Sequence, residues 1–170
     1  MTVAIQPIRG TEQLLQLLNH HALPAQHLCL EITEQVALRN PVQAERTMER
    51  LRCLGVSFAM DAFRTGMTSL GYLRDLPLDY VKIDKSFIRL CQLETSSRMM
   101  VEFIVQLGRE LGLRTVAEGV EPWEMLQCVR DLGISMTQGH LTTRPMPFSP
   151  PSAGWLFAGN GAAALAQVDA

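Results

Sequence analysis

Short apolar runs recur along this chain, and each ends on a polar or charged residue. Leu28-Cys29-Leu30 runs into Glu31, Val56-Ser57-Phe58-Ala59-Met60 into Asp61, and Tyr80-Val81 into Lys82, with Asp84 two positions on. Thr115-Val116-Ala117 runs into Glu118, and Ile134-Ser135-Met136-Thr137 into Gln138. Runs of this length and composition read as buried strands. The segments between them carry the helical period instead. Leu14, Leu15, Leu17 and Leu18 make one apolar face over residues 11–21, with Thr11 as the expected N-cap. Asn40-Pro41 starts a second helix, Asn at the cap and Pro at the first helical position, running through Ala44, Met48 and Leu51 to Leu54. Residues 66–75 read as a short helix stopped by Pro77. Residues 95–111 read as a long one carrying Met99, Val101, Phe103, Ile104, Leu107 and Leu111. Glu121-Pro122 opens another, with Met125, Leu126 and Val129 inward. A weakly alternating stretch, residues 2–5, reads as a short first strand.

Three junctions read alike: Leu54-Gly55-Val56, Leu111-Gly112-Leu113 and Leu132-Gly133-Ile134. Each is a helix closed by glycine and followed at once by an apolar strand. Strands alternating with helices predict parallel βα units with right-handed crossovers. The expected strands are residues 28–32, 56–60, 80–83, 114–117 and 134–137. Their shared ending predicts Glu31, Asp61, Lys82, Glu118 and Gln138 at one rim. A chain of 170 residues has room for one domain with a sizeable core. The boundary expected is residues 1–148 for that domain. Residues 149–170 form a tail that begins with Ser149-Pro150-Pro151-Ser152 and is rich in small residues, with a short helix expected through Ala162 to Val168.

Composition narrows the classes. Hydrophobic residues make up 47%, and the formal net charge of −2 gives no basic surface for nucleic acid. No apolar run reaches the roughly 18 residues of a membrane span, and no basic segment followed by an apolar stretch marks a signal peptide. Cys29, Cys53, Cys91 and Cys128 are scattered without a C-x-x-C spacing, which reads as reduced thiols of a cytoplasmic protein. Glycine-rich nucleotide loops and the G-x-S-x-G elbow are absent. His20, His21, His27 and His140 are read as loop or surface residues, and Met99, Met100, Met125 and Met136 as core filler.

Carboxylates at the ends of buried strands carry the chemistry. In a parallel barrel or sheet Glu31, Asp61 and Glu118 converge at one end, where like charges repel unless a cation or protons compensate. An all-oxygen set suits Mg²⁺, Mn²⁺ or Ca²⁺ rather than zinc. Lys82 adds a positive charge able to pair a carboxylate or orient an anionic nucleophile. Taken singly, each residue is more simply a solvated strand end with a local salt bridge. Four together, each after an apolar strand, point to a site.

The motifs Glu31-Ile32-Thr33-Glu34, Asp61-Ala62-Phe63-Arg64-Thr65-Gly66, Lys82-Ile83-Asp84, Ala117-Glu118-Gly119-Val120-Glu121 and Gln138-Gly139-His140 resemble, in order and separation, those of EAL domains. Those are bacterial cyclic-di-GMP phosphodiesterases with a (β/α)₈-type barrel. The resemblance covers about residues 3 to 147 and includes Arg144-Pro145-Met146-Pro147, similar to a Lys/Arg-Pro segment of the family. It implies an α/β fold of TIM-barrel type and a two-metal mechanism with Mg²⁺ or Mn²⁺. It implies metal ligands at Glu31, Asp61 and Glu118, a water-holding lysine at Lys82, and dinucleotide contacts from Gln138 and Arg144.

The departures from the family are equally specific. The Glu-Ala-Leu motif and the first two strands of the family barrel are absent and would lie upstream of Met1. The family's Asn ligand falls near Ala4, its paired Asp-Asp is Asp61-Ala62, and Arg64 replaces the first Gly of its Phe-Gly-Thr-Gly loop. An eight-stranded barrel typically takes about 250 residues. The expectation is therefore an incomplete barrel of about six βα units with a degenerate site, Lys82 vestigial and Mg²⁺ or Mn²⁺ weakly bound or not at all. Such a domain acts by protein contacts, a partner or a homodimer, or by weak cyclic-di-GMP binding. The alternatives are the C-terminal part of an active metal-dependent phosphodiesterase, and an unrelated α/β binding protein with chance matches.

Overall fold

The computed structural model describes residues 2–4, 11–33, 39–63, 70–121, 123–139 and 166–167. Strands β1 (Thr2–Ala4), β2 (Cys29–Ile32), β3 (Ser57–Phe63), β4 (Tyr80–Ile83), β5 (Arg114–Glu118) and β6 (Met136–Gln138) lie side by side in chain order and pair in parallel. Between them run α1 (Thr11–His20), α2 (Pro41–Arg52), α3 (Leu70–Asp75), α4 (Lys85–Leu90), α5 (Thr95–Glu110) and α6 (Trp123–Asp131). Sequential order without a reversal is the winding of a (β/α) barrel, not of a doubly wound sheet, whose strand order switches direction. The described strands form an open arc of such a barrel. A two-residue strand, β7 (Ala166–Gln167), adds antiparallel to β6 at the edge. A helix was expected there; the two described residues of that tail segment are extended.

Local chemistry explains most boundaries. The Asn40 side chain accepts from the Gln43 amide, with Pro41 opening α2. Such a cap contributes about 1 kcal/mol. Gly55, Gly112 and Gly133 all take positive φ, as the three helix–strand junctions require. Two features were not anticipated. α4 follows β4 directly, capped by Asp84, whose Oδ1 accepts from the Ser86 amide at 2.8 Å. Asp84 thus serves as the cap of α4. The register of β3 against β4 slips between Met60 and Phe63, so β3 carries an irregularity beside Asp61.

The core has two unequal parts. The larger lies between sheet and helices and includes Leu30, Phe58, Met60, Val81, Ile83, Ile88, Val101, Ile104, Ala117 and Val129. The smaller is Cys29, Ala59, Tyr80, Val116 and Met136. Side chains alternate faces along a strand, so this smaller group is the inner face of the arc. On α5, Met99, expected as core filler, is exposed, and so are Phe103 and, on the apolar face of α1, Leu17.

Candidate functional site

Each inner-face residue has a polar residue two positions further on: Cys29 and Glu31, Ala59 and Asp61, Tyr80 and Lys82, Val116 and Glu118, Met136 and Gln138. A period of two returns a strand to the same face. The apolar inner layer is therefore followed, on every strand from β2 to β6, by one polar step at the C-terminal end. This is the end at which barrel enzymes build their sites. Register confirms the alignment: Glu118 is level with Gln138, Lys82 with Val116, and Glu31 with Ala59, a stagger that accompanies the tilt of barrel strands.

The five expected rim residues are thus brought to one end of the sheet, and three of them converge on the side-chain nitrogen of a fourth. Lys82 Nζ lies 2.6 Å from Glu31 Oε1, 2.5 Å from Glu118 Oε1 and 3.7 Å from Asp61 Oδ1. The lysine side chain is only 4% exposed, against 11% for Glu31, 21% for Glu118 and 33% for Asp61. The ammonium is the floor of the cluster, and Asp61 is its open side. Gln138 sits beside Glu118, and its Oε1 is buried without a hydrogen-bond partner. The chain turns sharply under it: a side chain at Gly139 would collide with the backbone of Val120, whose amide donates to the Gln138 carbonyl. Arg144, Arg64 and His140 lie outside the described residues.

The electrostatics follow from one positive charge shared by three negative ones. Burial works to lower the Lys82 pKa, but Glu118 and then Glu31 outweigh it and hold the ammonium above its ordinary value. Burial pushes Glu118 up. The attraction of Lys82 opposes this, while Asp61 and Glu31 add to it. Both shifts hold together because a single ammonium cannot satisfy three carboxylates. Burial first, and then the neighbouring negative charge, favour the protonated form of Glu118.

Chemically, three carboxylates and an amide oxygen suit a hard divalent cation. As arranged, Lys82 occupies the point where they converge. Among the described residues no group of three His, Cys, Asp or Glu side chains is disposed around a possible metal position. The donor set fits one cation in kind, with the ammonium as its competitor for the space.

An arc of parallel βα units with an acidic C-terminal rim around a buried lysine defines the class as a (β/α)-barrel domain with its polar site at the strand C-termini. The model of the EAL domain matches residues 9–145, and the chain belongs to that family. It is 40% identical over 127 residues to the cyclic di-GMP phosphodiesterase PdeB of Shewanella oneidensis, a match covering 75% of this chain and 15% of the relative. Among solved structures, the PaMucR phosphodiesterase in complex with c-di-GMP superposes with a TM-score of 0.78 at 36% identity, covering 86% of this chain and 61% of the other. The Klebsiella pneumoniae BlrP1 calcium/cy-diGMP complex gives 0.69 at 28% identity, with coverage of 82% and 34%. The chain spans less than a fifth of the length of such curated relatives.

Proposed function

We propose that this chain is a cyclic-di-GMP signalling domain that holds the dinucleotide, or a protein partner, at its acidic rim without hydrolysing it. The observation that carries this reading is Lys82, buried among Glu31, Glu118 and Asp61. Opening a phosphodiester requires positive charge on the phosphoryl oxygens. Here the positive charge is already spent on the protein's own carboxylates. Ala62 next to Asp61, and Ala4, level with Glu31 on β1, supply no ligand oxygens from their side chains. Lys82 is vestigial as a catalytic group in this reading, and its work is structural.

Glu31, Asp61 and Glu118 are the residues that would hold Mg²⁺ or Mn²⁺, weakly, in competition with Lys82. Such an ion, when bound, supplies Lewis-acid stabilisation of a phosphoryl oxygen. Gln138, with its unpartnered Oε1, would accept from a base edge, and Arg144 would pair a phosphate. Solved relatives in complex with cyclic-di-GMP support the choice of ligand. Exposed Leu93 and Trp123 support a protein-facing surface, with a second copy of the chain the partner to test first by light scattering. No described helix is long and apolar enough to cross a membrane, and free cysteines support the cytoplasm as the compartment.

A second reading, an active metal-dependent phosphodiesterase of which this chain is the C-terminal part, draws on the 40% identity with PdeB. Calorimetric titration of the 170-residue chain with cyclic-di-GMP, with and without Mn²⁺, combined with assay for the linear dinucleotide, separates the two. Binding without turnover is expected. Repeated turnover lost on Glu31→Ala would favour the second.

A further inference from the structure

We propose that Cys91 and Cys128 form an oxidisable dithiol that a small two-electron oxidant of the peroxide class closes to a disulfide, tying together the helices that follow the Lys82 and Glu118 strands. The sequence scatters these cysteines 37 positions apart, but the fold brings their sulfurs to 3.0 Å in the interior. Cys91 is the C-terminal cap of α4, and Cys128 lies on α6, two elements that pack together. Bonded sulfurs sit about 2 Å apart, so the sulfurs need to close by roughly 1 Å. The other two cysteines differ: Cys29 belongs to the inner face of the arc, and Cys53 is exposed at the end of α2.

The roles of the two thiols follow from their surroundings. Cys91 donates to the Ile88 carbonyl at 3.1 Å and is 2% exposed. Burial, then its hydrogen bond with Cys128, pushes its pKa up to about 12. The more deeply enclosed of the two, it acts second. Cys128, at 6% exposed, acts first. Its sulfur attacks one oxygen of hydrogen peroxide. The O–O bond breaks, a sulfenic acid forms on Cys128, and the departing hydroxide takes the thiol proton to give water. The Cys91 sulfur then attacks the sulfenic sulfur. The S–S bond forms, the S–O bond breaks, and the hydroxyl leaves as water with the Cys91 proton. The two thiols lose two electrons and the peroxide is reduced to two waters.

The closed loop would contain α5 and β5 with Glu118, and its first anchor lies nine residues after Lys82. Oxidation would thus hold β4 and β5 at a set spacing behind the rim. Because the pair is buried, oxidation should be slower than at exposed Cys53 and should stay within one chain.

The test uses the full reduced chain in native buffer, exposed to hydrogen peroxide, quenched by alkylation and mapped without reduction. The expected result is a Cys91–Cys128 linked peptide, a loss of 2 Da per monomer reversed by dithiothreitol, and a melting temperature higher by on the order of 5–10 °C. Oxidation confined to Cys53, with Cys91 and Cys128 still fully alkylated, would overturn the proposal. Cys128→Ser should lose the linked peptide and leave Cys91 reduced. Should that variant fail to fold, the mapping of the unaltered chain decides alone.

Discussion

The two ends of the sheet use charge in opposite ways. At the N-terminal end, Asp79 accepts from the Phe58 amide at 2.8 Å and from Arg52 at 3.0 Å, and Arg114 stacks over the Tyr80 ring at 4.5 Å while donating to its hydroxyl. Asp79 is paired with Arg52, Arg114 rests on the Tyr80 ring and hydroxyl, and these contacts stitch β3, β4 and β5 together. At the C-terminal end three carboxylates share one ammonium, and a buried amide oxygen has no partner. A matched network is what stability requires. An unmatched one persists because the neighbouring structure supports it, and its unspent capacity is available to a ligand.

That contrast can be broken from either side. Lys82→Met should cost the most, about 3 kcal/mol in denaturant unfolding, because it leaves three partly buried carboxylates without their cation. The same variant should bind Mn²⁺ more tightly than the parent, since a hard cation then has the space to itself. Unchanged Mn²⁺ affinity would show that the ammonium is not its competitor. Asp79→Ala should cost about 1–3 kcal/mol by stranding the Phe58 amide and leave Mn²⁺ and dinucleotide binding unaltered. A large binding defect in that variant would erase the distinction between the ends. Glu118→Gln should abolish Mn²⁺ binding with little loss of stability, because the raised pKa of Glu118 marks a carboxylate that the fold holds charged at a cost.

The same group sets a pH dependence. The Glu118 pKa is raised on folding, so its contribution to stability is greatest below its ordinary value of 4.5 and is lost as pH rises through the folded pKa. Lys82 is also raised, so its contribution is full below 10.5 and is lost as pH climbs through its folded pKa. Unfolding curves across the acid window should therefore show a limb that Glu118→Gln flattens. Mn²⁺ uptake should fall as pH drops through that window.

Much of this was legible in the sequence because the signals are local. An apolar run, a polar residue and a glycine junction each declare themselves within a few positions, and they located the strands and the five rim residues. What stayed hidden depends on distant partners. The ammonium among the carboxylates joins residues 51 positions apart, and the Cys91–Cys128 contact joins residues 37 apart. The irregularity of β3 beside Asp61 is visible only in pairing with β4. α4 was missed although Asp84 with Ser86 two residues on is a capping signal, because six residues are too few for a helical period to show. Met99 was read as core filler from its apolar character alone, which cannot tell a core face from a surface left open.

The central claim is that the rim binds without hydrolysing, and turnover measures it most directly. The purified chain is incubated with cyclic-di-GMP and excess Mn²⁺, and the linear dinucleotide is followed over time. Losing one preorganised electrostatic contact typically costs about 10² to 10³ in rate. Ala62 and Ala4 bring no side-chain oxygen to a cation at the rim. The predicted result is no product beyond one equivalent, with Ala62→Asp alone giving no rescue. Multiple turnovers, abolished by Glu31→Ala, would contradict it.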